Sequence, residues 1–221
     1  MGIAERKERE RSKRRETIVD AAEQVIFERG FEVATMDEIA EQAELSKGTL
    51  YLYFENKMEL YLAICQRGSD KLNVRFSKIL TRDHTGLEMI RMMGEAYLDF
   101  VIREPLYFQA FQFYEGVQDP SLLSKSDYAK KCEQNSREAL TIMARALQIG
   151  MQDGSIDDAY DPKELAIMIW ASSRGIVQLA YLKKQEHHFK MLDDIDLNME
   201  SLFASFIELL GTGMAVKEKN K

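Results

Sequence analysis

With 221 residues, 45% of them hydrophobic and 30% charged, the chain carries enough apolar material for a sizeable core in one or two domains and too much for a disordered segment. Three prolines, twelve glycines and no run that alternates apolar with polar residues exclude a strand-rich fold, so an all-α architecture of about nine helices is expected. The formal net charge of −7 excludes a uniformly basic surface, and any grip on nucleic acid has to be local.

The first residues hold no apolar segment of a signal peptide. Residues 1–15 carry seven cations, Arg6, Lys7, Arg9, Arg11, Lys13, Arg14 and Arg15, against three acids, a balance of +4. Such a run is a solvated tail when it stands alone and a phosphate-seeking arm when it precedes a DNA-binding element. A first helix is expected over 12–29, with Ile18, Ala22, Val25 and Ile26 on one face and Gly30 as its stop.

Residues 35–57 read T-M-D-E-I-A-E-Q-A-E-L-S-K-G-T-L-Y-L-Y-F-E-N-K and pack three helix starts into a short span. Thr35 with Glu38 forms a capping box, Ser46 caps the next helix, and Asn56 with Glu59 opens a third. Met36, Ile39, Ala40 and Ala43 share one face, and only Glu44 and Leu45 remain to turn the chain. That spacing is a helix-turn-helix and points to double-stranded DNA. A recognition helix needs small residues at its N-terminus, and Ser46, Lys47, Gly48 and Thr49 supply them. Lys47 can donate to guanine or pair with a phosphate; Tyr51 and Tyr53 carry hydroxyls suited to phosphate oxygens; Thr35 and Lys57 sit at helix starts whose dipoles favour phosphate. Leu50 and Phe54 are expected beneath the recognition helix as core. Residues 16–60 hold eleven acids against Arg29, Lys47 and Lys57, a balance of −8, so Glu16, Asp20, Glu23 and Glu28 are expected to face solvent away from the duplex.

Further along, the periodicity predicts helices over 57–80, 87–103 and 106–115, the last restarted by Pro105. A loop is expected at 117–120, then a helix carrying Leu140, Met143, Ala144, Leu147 and Met151 up to the break at Asp153-Gly154. Asp161-Pro162-Lys163-Glu164 opens an eighth helix to about residue 183. Its run 166–182 holds Ser172, Ser173, Arg174 and Gln178, too polar and too short to span a bilayer, and is expected to be buried on most of its circumference. A ninth helix is expected over 197–210, stopped by Gly211.

The motif block from Ile18 to Leu60, with T-M-D-E-I-A-E-Q-A, S-K-G-T-L-Y-L-Y-F and N-K-M-E-L, resembles the DNA-binding head of the tetracycline-repressor-like (TetR) family of bacterial regulators. A fainter echo is G-M-Q-D-G-S-I-D ahead of the Pro162 helix. Glu44 departs from the family pattern, which commonly has glycine at the turn; a side chain in a left-handed position costs about 1 kcal/mol. The resemblance implies a DNA-binding head over 1–56 and a ligand-binding and dimerisation body over 57–221. It marks Thr35, Tyr51, Tyr53 and Lys57 as phosphate contacts, the fifth to eighth helices as walls of an inducer cavity, and the last two helices as a four-helix dimer interface.

Residues 97–114 hold seven of the chain's 21 aromatic side chains. Such a stripe is plain core or pocket lining, and Tyr97, Phe100, Phe108, Phe111 and Tyr114, with Met143, Trp170 and Arg174, are the candidates for a small apolar or amphipathic ligand. Met89, Met92, Met93, Met151 and Met168 would give adaptable walls. Arg174 is either a member of an internal ion pair or an anchor for an anionic ligand. Ile169, Ile176, Leu202, Phe203, Phe206 and Leu210 are the candidate contacts to a second copy, and two-fold symmetry then calls for a palindromic operator. An architectural DNA binder of the same fold without an inducer is the alternative. No enzyme, cofactor, metal or membrane partner is expected: His84, His187 and His188 form no constellation with Cys65 and Cys132, whose wide spacing suits reduced thiols in the cytoplasm.

Overall fold

The computed structural model describes residues 2–81, 83–118, 120–184 and 198–216. Among them stand ten helices and no strand: α1 (Ile3–Arg29), α2 (Met36–Gln42), α3 (Lys47–Tyr51), α4 (Lys57–Leu80), α5 (Gly86–Arg103), α6 (Pro105–Gly116), α7 (Pro120–Ser124), α8 (Asp127–Asp153), α9 (Pro162–Lys184) and α10 (Met199–Met214). His187, His188 and Leu197 lie outside the described residues.

Three boundaries differ from expectation. α1 begins at Ile3 rather than at residue 12, because the arm contains no breaker. Its helix is supported by Arg6 pairing with Glu10 at 3.0 Å and by the Gly2 N–H donating to Glu5 at 2.8 Å. The segment after Val117 is not all loop, since Pro120 starts the short α7. α10 continues past Gly211 to Met214, whose carbonyl accepts from the Asp157 N–H at 2.8 Å.

The packing divides the chain into two compact units, Met1–Asp70 with Glu104–Gln134, and Lys71–Arg103 with Asn135–Lys221. Contacts therefore do not thin out at residue 57. In the first unit Ile18, Ile26, Ile39, Leu50, Phe54, Leu60, Leu62, Ile64 and Phe108 form a fully buried core. Arg67 of α4 pairs with Glu16 at 2.5 Å, Asp20 at 2.7 Å and Glu23 at 3.1 Å, and the Tyr107 hydroxyl donates to Glu23 at 3.0 Å. Three of the four first-helix acids are thus tied to a cation rather than simply facing water. The arrangement fits the rule that a half-buried charge persists where carboxylates repay its desolvation. Gly68 makes the approach possible, because a Cβ there would sit 2.7 Å from the Cβ of Tyr107. Cys65 and Cys132 are buried in this unit without a disulfide between them, and the Cys132 thiol donates to the Leu62 carbonyl at 3.6 Å.

The second unit is organised by a close crossing of α5 and α8. A Cβ on Gly86 would lie 2.0 Å from the Gly150 backbone nitrogen and 2.5 Å from the Ala146 carbonyl oxygen. The D-G-S turn completes the join: Asp153 accepts from the Gly86 N–H at 2.8 Å, Ser155 accepts from the Leu87 N–H at 3.1 Å, and Gly154 adopts φ 78°. Asn73 donates to the Asn135 carbonyl at 2.9 Å, satisfying a polar pair inside the core.

α9 is not buried round most of its circumference. Over Pro162–Lys183 its mean hydropathy is 1.3, long and apolar enough by length and composition to cross a bilayer, yet only 33% of that apolar stretch is buried. The residues chosen for a second copy also divide. Ile169 and Phe203 point inward, Phe203 against Tyr97 with ring centroids 6.1 Å apart. Ile176, Phe206 and Leu210 are half-buried and Leu202 is exposed. The outward apolar face is carried instead by Ile167 and Met168 on α9 and by Leu202 and Leu209 on α10. The band on these helices is wide enough that its centre serves the chain's own core and only its flank remains outside.

Because the Gly86 contact is with backbone, no rotamer change can relieve it. Gly86→Ala is expected to cost at least about 1–3 kcal/mol of stability, measured by denaturant unfolding, while Gly48→Ala, where a Cβ meets nothing within 4 Å, leaves stability within about 1 kcal/mol.

Candidate nucleic-acid interface

The first unit presents α2 and α3 as a helix-turn-helix. Thr35 accepts from the Glu38 N–H at 3.2 Å while Glu38 accepts from the Thr35 N–H at 3.0 Å and its hydroxyl at 2.9 Å. That capping box, with Arg29 pairing to Glu38 at 2.6 Å, holds the Glu38 carboxyl below its usual range; the Thr35 hydrogen bonds are the leading cause. Met36, Ile39, Ala40 and Ala43 face inward as their spacing predicts. Glu44 makes the turn at φ 55°, the one positive-φ residue other than glycine among those described, so the expected strained position is present and occupied by a carboxylate side chain. The Leu45 N–H donates to the Ala40 carbonyl at 2.8 Å and closes it.

α3 is five residues long. Ser46 accepts from the Thr49 N–H at 3.1 Å, and the two hydroxyls lie 2.8 Å apart. Leu50 and Phe54 are buried beneath, as expected. Thr35, Ser46, Lys47, Gly48 and Tyr51 are exposed, whereas Thr49 and Tyr53 are half-buried. Leu52, 76% exposed, sits at the C-terminal cap of the same helix and is not among the residues singled out from the sequence.

Two lysines are not where a phosphate contact would leave them. Lys57 donates to the carbonyls of Phe31 at 2.6 Å, Ala34 at 3.0 Å and Glu32 at 3.1 Å, and lies 4.6 Å over the Phe31 ring. All three N–H groups of its ammonium are therefore committed to the turn between α1 and α2, which weighs against the expected phosphate contact of its side chain. Lys47 sits 2.7 Å and 3.0 Å from the two carboxylate oxygens of Asp37. Asp37 offered no signal in the sequence, since a pair ten positions apart is brought together only by the turn.

The ligand candidates fall into both units. Phe108, Phe111 and Tyr114 belong to the first, and Tyr97, Phe100, Met143, Trp170 and Arg174 to the second. Phe100, Phe108 and Met143 are buried, as are Met89 and Met93, whereas Met168 lies on the outer face of α9. Within the second unit Arg174 stacks 5.1 Å over the Trp170 ring. Burial raises the Tyr97 phenol far above its ordinary value, with the Arg174 charge opposing, and the same burial lowers Arg174. Tyr97, Trp170 and Arg174 are thus the members that the structure brings into one cluster.

Residues 18–64 match the family described as "Bacterial regulatory proteins, tetR family". That stretch is a TetR-family DNA-binding region. The HTH-type transcriptional activator FasR of Mycolicibacterium smegmatis is 33% identical over 115 residues, which span about half of either chain, 52% of each. The fatty acid metabolism regulator protein of Bacillus subtilis is 22% identical over 197 residues, 89% of this chain and 93% of that one. The crystal structure of the transcriptional regulator FadR from Bacillus subtilis in complex with stearoyl-CoA superposes with a TM-score of 0.67 at 22% identity, covering 90% of this chain and 98% of that one, a likeness that speaks for the fold.

For a TetR-family head the committed ammonium of Lys57 makes a testable distinction. Lys57→Met strands three carbonyls and is expected to cost about 2 kcal/mol, seen as a lower melting temperature. The dependence of DNA affinity on salt, measured well below melting, should stay as in the parent protein; a slope shallower by about one unit would return Lys57 to the phosphate contacts.

Proposed function

We propose that this chain is a homodimeric DNA-binding transcription regulator of the TetR family, a repressor that leaves a palindromic operator when a small, largely apolar ligand binds. DNA contacts come from residues up to 56, and ligand and dimer contacts from 57 onward. The observation that carries the reading is the exposed N-terminus of α3, where Ser46 and Gly48 leave open space for a base edge and no Cβ crowds the backbone. The ligand class is taken from the relatives: a regulator of fatty acid metabolism and a structure holding stearoyl-CoA favour a long-chain acyl thioester. The cluster of Tyr97, Trp170 and Arg174 suits an apolar chain that ends in a polar group.

Charge gives the arm its part. Arg29 is paired with Glu38 and Lys47 with Asp37, and Lys57 serves backbone carbonyls, so the three cations between residues 16 and 60 are all engaged inside the head. The phosphates are met by the continuous helix from Ile3, whose 27 residues extend about 40 Å. Removal of residues 1–11 is expected to cost more affinity at low salt than at high salt. The setting is a duplex selected from a random pool, with stearoyl-CoA as the releasing probe. A pool that does not enrich a palindrome overturns the DNA reading, and enrichment without release overturns the ligand class.

Dimerisation is proposed through the outward flank of α9 and α10. Ala171, Ser172 and Gly175 are exposed beside Ile167 and Met168, and small residues let a partner helix approach closely. Met168→Glu should leave the fold intact, since Met168 is 63% exposed, yet yield a monomer that binds the selected operator at least roughly tenfold more weakly, about 1.4 kcal/mol. Sedimentation showing an intact dimer would move the interface elsewhere.

A further inference from the structure

Asp37 and Lys47 link the two helices of the helix-turn-helix from the outside. Asp37 is the second residue of α2 and Lys47 the first of α3, and the two side chains remain 64% and 59% exposed. The ammonium lies 2.7 Å from one carboxylate oxygen and donates to the other at 3.0 Å. An exposed pair of this kind contributes little to stability. The helices are already set by the Thr35 and Ser46 caps and by the burial of Ile39 and Leu50. What the pair changes is the charge and the freedom of the only lysine on the recognition helix.

A free lysine on a DNA-facing helix is a mobile point charge that satisfies itself on any phosphate, and so adds affinity without regard to sequence. A lysine paired with a carboxylate is different: the pair is electrically neutral, and one of its N–H groups is already given to Asp37. A remaining N–H is then offered from a restricted position to a major-groove acceptor such as guanine O6 or N7. We propose that Asp37 is a positioning residue that sets specificity, holding Lys47 as a fixed donor to a base edge and withholding its charge from phosphates.

This rests on the DNA-binding reading above. The test compares affinities for the selected operator and for a scrambled duplex of equal length across a salt series, with the full chain. Asp37→Asn is expected to tighten the scrambled duplex at least roughly threefold, to steepen its salt dependence by about one unit, and to lower the ratio of operator to scrambled affinity. Asp37→Glu, which keeps the charge, should restore the shallower slope. In a Lys47→Ala background the Asp37→Asn change should leave the ratio unmoved, because there is no longer a lysine to hold. An Asp37→Asn protein with the parent's ratio and slope overturns the proposal, as does the same fall in ratio with Lys47 removed. A parent chain that does not distinguish operator from scrambled duplex overturns the DNA reading itself and this inference with it. Parent-like discrimination together with an inert Asp37→Asn overturns this inference alone.

Discussion

Between the end of α1 at Arg29 and the cap of α2 at Thr35 the chain turns through residues whose carbonyls no helix ladder serves, and the ammonium of Lys57 gathers three of them. The energetics are asymmetric. A half-buried ammonium would be costly alone, and unpaired carbonyls would be costly alone, but each meets the other's requirement in full. The Phe31 ring beneath the ammonium packs on Tyr61 at 4.2 Å and on Phe113 at 4.7 Å, so the turn is gripped from both sides within its unit. The position of Thr35 follows from that grip. From Thr35 follow the capping box, the short α2, the left-handed Glu44 and finally the N-terminus of α3.

Much of this geometry was legible because it is written in local pattern. Caps at Thr35, Ser46, Asn56 and Asp161, the proline starts at Pro105 and Pro162 and the apolar face of α2 all lie within one or two turns, where spacing alone fixes which atoms meet. The limits of α4 at Lys57 and Leu80 were legible for the same reason. What escaped depends on long-range packing. Lys57 looked like a phosphate contact because its position at a helix start is local, whereas its carbonyl partners lie more than twenty residues upstream. Arg67 and its three carboxylates on α1 are separated by more than forty residues, and no periodicity announces them. Burial failed in the same way: Phe203 and Leu209 are equal as letters on one apolar helix, yet one is 1% and the other 72% exposed.

α9 shows how composition misleads in both directions. Its polar interruptions at Ser172, Ser173 and Arg174 argued for a core helix, while its mean hydropathy of 1.3 suits a membrane. Only a third of its apolar stretch is buried, the rest being half-buried or exposed, and water is a poor solvent for the exposed Ile167 and Met168 side by side. The small residues Ala171, Ser172 and Gly175 one turn further along would let a second helix approach closely, which is the contact proposed above.

The remaining tension is that an acidic chain should bind a polyanion. Net charge governs the far field, within a screening length of about 8–10 Å at physiological salt, but contact is decided by what each charge is already doing. In this head the carboxylates of Glu16, Asp20 and Glu23 are spent on Arg67, Glu38 on Thr35 and Arg29, and Asp37 on Lys47. Pairing reduces their repulsion of phosphate and equally removes the cations' attraction, but three carboxylates share the one Arg67 and Glu41, Glu44 and Glu55 stay exposed, so the head keeps a net negative charge. On the proposed reading, a head whose three cations are engaged offers hydroxyl groups and the exposed start of α3 to bases, and the attraction to phosphate comes from the arginines and lysines of the arm. Separating the two tasks in this way would let affinity respond to salt while sequence preference does not.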